Sequence, residues 1–198
     1  MNAKFLSLTA ELNAFDYFER TVSFLRESHN SDVAWKWVAI SLHGALYGFA
    51  VSASYGTNDW AVLKGKKNYL IGFDEAMGRC EKGIECRPLA LTARELESID
   101  KLKKILRDNF EHFQPGTRLI VLHGITILAL DCISVIERLA TTGWVSVRLR
   151  DQQEHLQNLI AEARTLLTTH PLHHDLQPAV LCAAMLARDG QQRGEFTE

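Results

Sequence analysis

A chain of 198 residues has the length of one domain. With 46% apolar and 23% charged residues it has the composition of a globular chain, which excludes a disordered or low-complexity one. The 22 Lys and Arg against 24 Asp and Glu leave a net charge of -2, which excludes a generally basic surface but leaves room for a local basic site.

Only 4 prolines and 12 glycines point to long helices and not to many short strands. The first helix is predicted over Ala3–Glu27, where Leu12, Phe15, Phe18, Val22 and Leu25 recur at three- and four-residue steps. Ser31 or Asp32 is an N-cap for a second helix over Asp32–Ser54. On it Ala34, Ser41, Ala45, Gly48 and Ser52 are small enough for a neighbouring helix to approach closely. Tyr55–Lys67 reads as an exposed loop, and a short helix is expected over Leu70–Cys80. Thr92-Ala-Arg-Glu95 is a capping box, and Leu96, Ile99, Leu102, Leu106 and Phe110 beyond it form a core-facing stripe. Pro115-Gly116 stops that helix. Further helices are predicted over Arg118–Ala140 and Val147–Thr169, the last stopped by Pro171. With no convincing strand or internal repeat, the expected fold class is all-α, a bundle of about five main helices in one domain over residues 1–190. Residues 191–198 form a frayed tail.

The N-terminus lacks the apolar core of a secretory signal. Trp37–Ala53 and Leu119–Leu130 are apolar but fall short of the roughly 20 residues a membrane span needs, so a soluble, cytoplasmic protein without membrane contact is expected. Cys80, Cys86, Cys132 and Cys182 read as reduced structural thiols. No metal site and no cofactor is expected. His170, His173, His174 and Asp175 are interrupted by Pro171 and read as a solvated helix terminus. Phosphate-loop, nucleophile-elbow and zincin motifs are absent from the sequence.

Three Arg-x4-His pairs occur: Arg107/His112, Arg118/His123 and Arg150/His155. The second lacks a polar neighbour to its Arg, and the third opens a long helix and stands as the runner-up. The first lies in Lys101-Leu-Lys-Lys-Ile-Leu-Arg107-Asp108-Asn-Phe-Glu-His112-Phe-Gln-Pro-Gly116, at the end of an amphipathic helix. On one α-helix Asp108 and His112 share a face, so Asp108 can orient the imidazole, while Arg107 stands about 140° from His112. A position in the last turn favours protonated His112. Lys101, Lys103 and Lys104, with Lys64, Lys66 and Lys67 in the loop, can attract phosphates. The plain structural alternative pairs Arg107 with Glu111 and Lys104 with Asp108 as surface ion pairs.

In this segment the sequence resembles the HEPN (higher eukaryotes and prokaryotes nucleotide-binding) superfamily, which is marked by an Arg, a polar neighbour and a His after four to six intervening residues. The resemblance is best over Thr92–Leu139 and extends to the His112-Phe-Gln-Pro continuation. It implies a HEPN-like homodimer with both motifs lining one cleft, acting as a metal-independent endoribonuclease of the toxin or antiviral-defence kind, with a cognate antitoxin as partner. Arg107, Asp108 and His112 would be its catalytic residues and Lys101, Lys103 and Lys104 its RNA contacts. In that chemistry the ribose 2′-OH attacks the adjacent phosphate, His112 moves the proton, and Arg107 holds the non-bridging oxygens. Two other classes of function fit the same residues. One is a non-catalytic HEPN-like module that binds a nucleotide, RNA or a protein partner. The other is a structural helical protein whose apolar faces make a dimer.

Overall fold

The computed structural model describes residues 4–56, 58–64, 69–111, 119–141 and 143–174. They are mostly helical, in agreement with the all-α expectation. Helix α1 (Ala10–Ser28) pairs with α2 (Ala34–Tyr55), which is the hub of the fold. Helices α3 (Phe73–Lys82), α6 (Ile125–Ala140) and α7 (Gly143–Arg148) also pack on α2. So does a π-helical segment (Leu102–Arg107) joining α4 (Ala93–Lys101) to the single turn α5 (Asp108–Glu111). Helix α8 (Gln153–Thr168) closes the bundle against α1 and α6, and the turn α9 (Pro171–His174) ends the described chain.

Helix α2 is apolar nearly all round because it is surrounded. Trp35, Leu42, Leu46 and Phe49 are each at most 1% exposed. By length and composition it could cross a membrane, but 67% of its most apolar stretch is buried inside the protein. The apolar run from Leu119 is no helix before Ile125.

What brings α1 against α2 is a ladder of small contacts running antiparallel. Thr21 donates to Ser41 at 3.0 Å, and farther along α1, Tyr17 meets Gly44 and Ala14 meets Gly48. A Cβ on Gly44 would lie 2.6 Å from the Tyr17 ring, and one on Gly48 2.6 Å from the Ala14 Cβ. The two glycines are four apart and share one face of α2. Of the small residues expected to admit a neighbour, Ser41 and Gly48 lie on this seam, and Gly44, not among them, lies there too. Where α1 begins and α2 ends, Glu11, 1% exposed, accepts from the Tyr55 hydroxyl and from Arg148 at 2.9 Å. Arg148 also donates to the Gly56 carbonyl at 2.7 Å, so a cation meets the carbonyl end of α2 and an anion the amide end of α1.

Several boundaries differ from expectation. Helix α1 starts at Ala10 and not Ala3, because the Thr9 hydroxyl caps it by accepting from Leu12 N at 3.2 Å. Neither Ser31 nor Asp32 caps α2 through its side chain; their backbone carbonyls accept from Ala34 and Trp35, both at 3.1 Å. The expected loop Tyr55–Lys67 holds a 3₁₀ turn (Asp59–Val62) and strand β1 (Leu63–Lys64), which pairs with β2 (Tyr69–Leu70) beyond it, so the helix expected over Leu70–Cys80 starts only at Phe73. Strands of two residues are too short to show an alternation. The Thr92–Glu95 capping box forms as expected. Along that helix Ile99, Leu102 and Leu106 are buried, whereas Leu96 is 46% exposed. The inward face there is taken by Glu95, which pairs with Arg138, and Ser98, which donates to Asp131 at 2.8 Å. Arg94 clamps the same Asp131 from outside. Helix α6 begins at Ile125 behind Gly124 at φ +81°, so Arg118–Ala140 is not one helix. Val147–Thr169 is likewise broken, by a 3₁₀ turn (Arg150–Gln152) after Arg148 turns in to Glu11. The stop at Pro115-Gly116 lies outside the described residues.

The glycine seam predicts opposite effects at two helical glycines. Gly48→Val should lose about 1–3 kcal/mol by overpacking against Ala14. Gly78→Ala meets nothing within 4 Å and should gain up to about 1 kcal/mol in helix propensity. Urea denaturation of the two variants measures both.

Candidate functional site

The segment that carries the sequence motif does not continue as an α-helix. From Leu102 to Arg107 the backbone is π-helical, and the Asp108 amide bonds to the Lys103 carbonyl, five residues back. Such a bulge changes the phase of the residues after it relative to those before, and π-bulges are frequent at functional sites. Ile99, Leu102 and Leu106 stay in the core, and Arg107 lines a cleft of about 380 Å³.

The opposite walls come from three other places. Tyr17 of α1 stands over Gly44, where the absence of a Cβ lets the ring lie against α2. Ile40, His43 and Tyr47 of α2 form the floor, and Gly72 and Phe73 at the start of α3 close one side. The hairpin delivers Phe73 to this place. Ile71, the residue after β2, donates to Val62 at 2.9 Å, and its carbonyl accepts from the Tyr47 hydroxyl. Lys103, Arg107 and Glu111 make the polar rim.

Arg107 is held by two carboxylates. Its Nη1 donates to Asp108 Oδ1 at 2.9 Å and its Nη2 pairs with Glu111 Oε2 at 2.6 Å, while its buried Nε has no partner among the described residues. Asp108, expected to orient His112, is therefore engaged with its own neighbour. His112 itself lies outside the described residues, as do Arg118, Lys66 and Lys67. The Arg107–Glu111 pair of the plain alternative is present, but Lys104 pairs with Asp100 at 2.7 Å and not with Asp108. Lys101 pairs with Glu97 at 2.6 Å, Lys64 with Glu75, and Lys103 with Asp74 at 2.6 Å. Of the three lysines expected to contact RNA, Lys103 is the one that lines the cleft.

His43 is the residue that the sequence did not single out. It is 9% exposed, its ring stacks on Phe73 at 4.6 Å, and its Nε2 has no hydrogen-bond partner among the described residues. Burial, and then the positive charge of Arg107 and Lys103, push its pKa down to about 4 against the opposing pull of Asp108 and Asp74. The imidazole is thus neutral near pH 7. The signal available in the sequence was a single polar ring inside an apolar helix, next to Gly44 and four residues from Tyr47.

The other histidines are elsewhere. His155, of the runner-up pair, is an exposed partner of Glu19 at 2.7 Å and does not line the cleft. His123 sits in the turn before α6. His170 is buried; its Nδ1 accepts from Leu172 N at 3.1 Å, so its Nε2 carries the hydrogen and donates to the Ser28 carbonyl at 3.2 Å. His173 contacts Thr126 at 3.3 Å, and Asp175 lies outside the described residues. No group of three His, Cys, Asp or Glu among the described residues is placed to hold a metal ion. Cys80, Cys86 and Cys132 are free thiols, and burial pushes Cys80 up to about 12 and Cys132 higher still; Cys182 lies outside the described residues.

No protein-family model, curated protein or solved structure matches the chain, so the meaning of the cleft rests on its own geometry.

The neutral His43 has a consequence for stability. Its pKa in the folded chain is about 4 and its ordinary value is 6.5. Below pH 6.5 the unfolded chain therefore takes up the proton first. The stability linked to His43 is complete above pH 6.5 and is lost as pH falls to 4, by about 3 kcal/mol in all. Urea denaturation of wild type and His43→Gln at pH 7, 5.5 and 4 isolates it: the difference between the two proteins should shift by that amount across the series.

Proposed function

We propose that the chain is a metal-independent endoribonuclease of HEPN type, a toxin or defence component, with Arg107 working at the cleft. The observation that carries this reading is the position of Arg107. The arginine of the resemblance's motif borders a concave site with aromatic walls and a second cation, Lys103, and does not sit on an open helix face. RNA chemistry uses these features directly. Unpaired bases stack on aromatic side chains, and a guanidinium is a planar donor for phosphate oxygens.

In the reaction the ribose 2′-OH attacks the neighbouring phosphorus and the bond to the 5′-oxygen breaks, leaving a 2′,3′-cyclic phosphate and a 5′-hydroxyl. His112, the residue after Glu111 in the chain, takes the 2′ proton or returns one to the leaving oxygen. Arg107 meets the charge that builds on the non-bridging oxygens. A homodimer would bring a second Arg107 and His112 to the same substrate and supply the partner acid or base. In this reading the protein acts in the cytoplasm and is held in check by a cognate antitoxin.

A second reading is favoured by one observation. Asp108 and Glu111 engage the two Nη groups of Arg107, so a phosphate must displace a carboxylate to be held by them in a fork. That arrangement suits a non-catalytic module which binds a nucleotide, RNA or a protein partner.

Incubating the purified protein with single-stranded RNA in the presence of a chelator separates these readings. The nuclease reading expects cleavage to cyclic-phosphate ends, falling on the order of 10²-fold or more in His112→Ala and in Arg107→Ala. RNA binding without cleavage by wild type selects the module, and neither binding nor cleavage removes both.

A further inference from the structure

We propose that His43 is the specificity residue of the cleft, its imidazole hydrogen-bonding the base of a single nucleotide whose phosphate lies on Arg107. The inference rests on the RNA-directed reading of the cleft and names a residue outside the Arg-x4-His motif.

Two side chains that line one small cavity, each with a buried polar atom left unpartnered, carry it. Buried polar atoms are nearly always paired, and one left without a partner costs about 1–3 kcal/mol. Six buried side-chain atoms lack a partner among the described residues, and of the six side chains only His43, with its Nε2, and Arg107, with its Nε, line this cleft. The two groups differ in what they can meet. Arg107 is a cation and a donor only, which suits a phosphate oxygen. His43 is neutral near pH 7 and offers one donor and one acceptor, which suits the edge of a base.

The size and walls of the cavity narrow the ligand further. About 380 Å³ is near the small end of ligand pockets, which run to roughly 300–1,000 Å³. That admits one planar ring with its sugar phosphate. One face of Phe73 is covered by His43 itself, which fixes the imidazole plane. Tyr17, 40% exposed at the mouth, has ring surface left for a base to stack on. Tyr47 cannot turn in, because its hydroxyl is tied to the Ile71 carbonyl.

The groups that face His43 are Arg107 and Lys103, which oppose its protonation, and Asp108 and Asp74, which favour it. With these in place, base reading by the neutral ring should be constant from pH 6 to 8 and weaken only as the pH approaches 4.

The test is titration of the four ribonucleoside 5′-monophosphates, one at a time, into protein carrying ¹⁵N-labelled histidine, followed by NMR and by calorimetry. Inorganic phosphate serves as a control, and the His43 signals are identified by their loss in His43→Gln. Three results are expected. The His43 ring nitrogens shift on binding, one base is preferred over the others, and His43→Ala removes that preference with about a tenfold or greater loss for the preferred nucleotide. Arg107→Ala should weaken all four alike, and His43→Ala should leave inorganic phosphate unaffected. If His43→Ala does not fold, the nitrogen shifts and His43→Gln decide the matter. If nucleotide or RNA is bound while the His43 nitrogens stay still and base preference survives in the variants, the His43 assignment is overturned and the RNA reading stands. If wild type binds none of the four nucleotides and no RNA, both fall.

Discussion

The close approach of α1 to α2 is the constraint on which the rest of this structure depends. It is possible because α2 presents no side chain at Gly44 and Gly48, so Tyr17 and Ala14 sit against its backbone. With one face of α2 committed to α1, the others are left to α3, the π-helical segment, α6 and α7. The same contact has a functional consequence. Tyr17 can stand as a wall of the cleft because Gly44 leaves room for its ring beside His43.

Charge is arranged in the same economical way. At 1% exposure Glu11 would be driven to protonate by burial alone. Its hydrogen bonds from Tyr55, from backbone and Thr9, and from Arg148 outweigh that and hold its carboxyl below the usual range. Asp131 is served by Arg94 and Ser98, and Glu95 by Arg138 and the Thr92 amide. These buried anions are fully partnered and fix where α4, α6 and α7 sit. Among the described residues six buried side-chain atoms lack a partner, and the cleft differs in bringing two of their side chains together, His43 through its Nε2 and Arg107 through its Nε, while those of Trp35, Ser52, Arg79 and Arg138 lie outside its lining. What sets His43 and Arg107 apart from the other four is that both side chains line one cavity, where a ligand has something to add.

Much of the fold was legible from residue pattern. The apolar girth of α2 marked a central helix, the Thr92–Glu95 box marked the start of α4, and the small residues of α2 marked a close neighbour. What escaped the pattern was decided by contacts far away in sequence. Leu96 fits the apolar stripe, yet Ser98 and Glu95 point inward because Asp131 and Arg138 of α6 wait for them. The break after Arg148 follows from Glu11, 137 residues away, and leaves no local mark. At the site, Arg107 was legible as a motif member, but its turn into the cleft was not, since nothing in Leu102–Arg107 announces a π-helix. His43 was hidden by its surroundings, because a lone histidine in an apolar helix reads as part of the core. Its meaning comes from Arg107 and Phe73, which the chain brings to it from other elements.

The most direct measurement on the central claim, that the Arg107–His43 cleft is where RNA meets this protein, is photo-crosslinking of 4-thiouridine-labelled single-stranded RNA followed by peptide mass mapping. Cross-links are expected on Tyr17 and on the peptides carrying His43 and Phe73. Cross-links confined to other surfaces, such as the exposed Trp60 or Trp144, would contradict that claim.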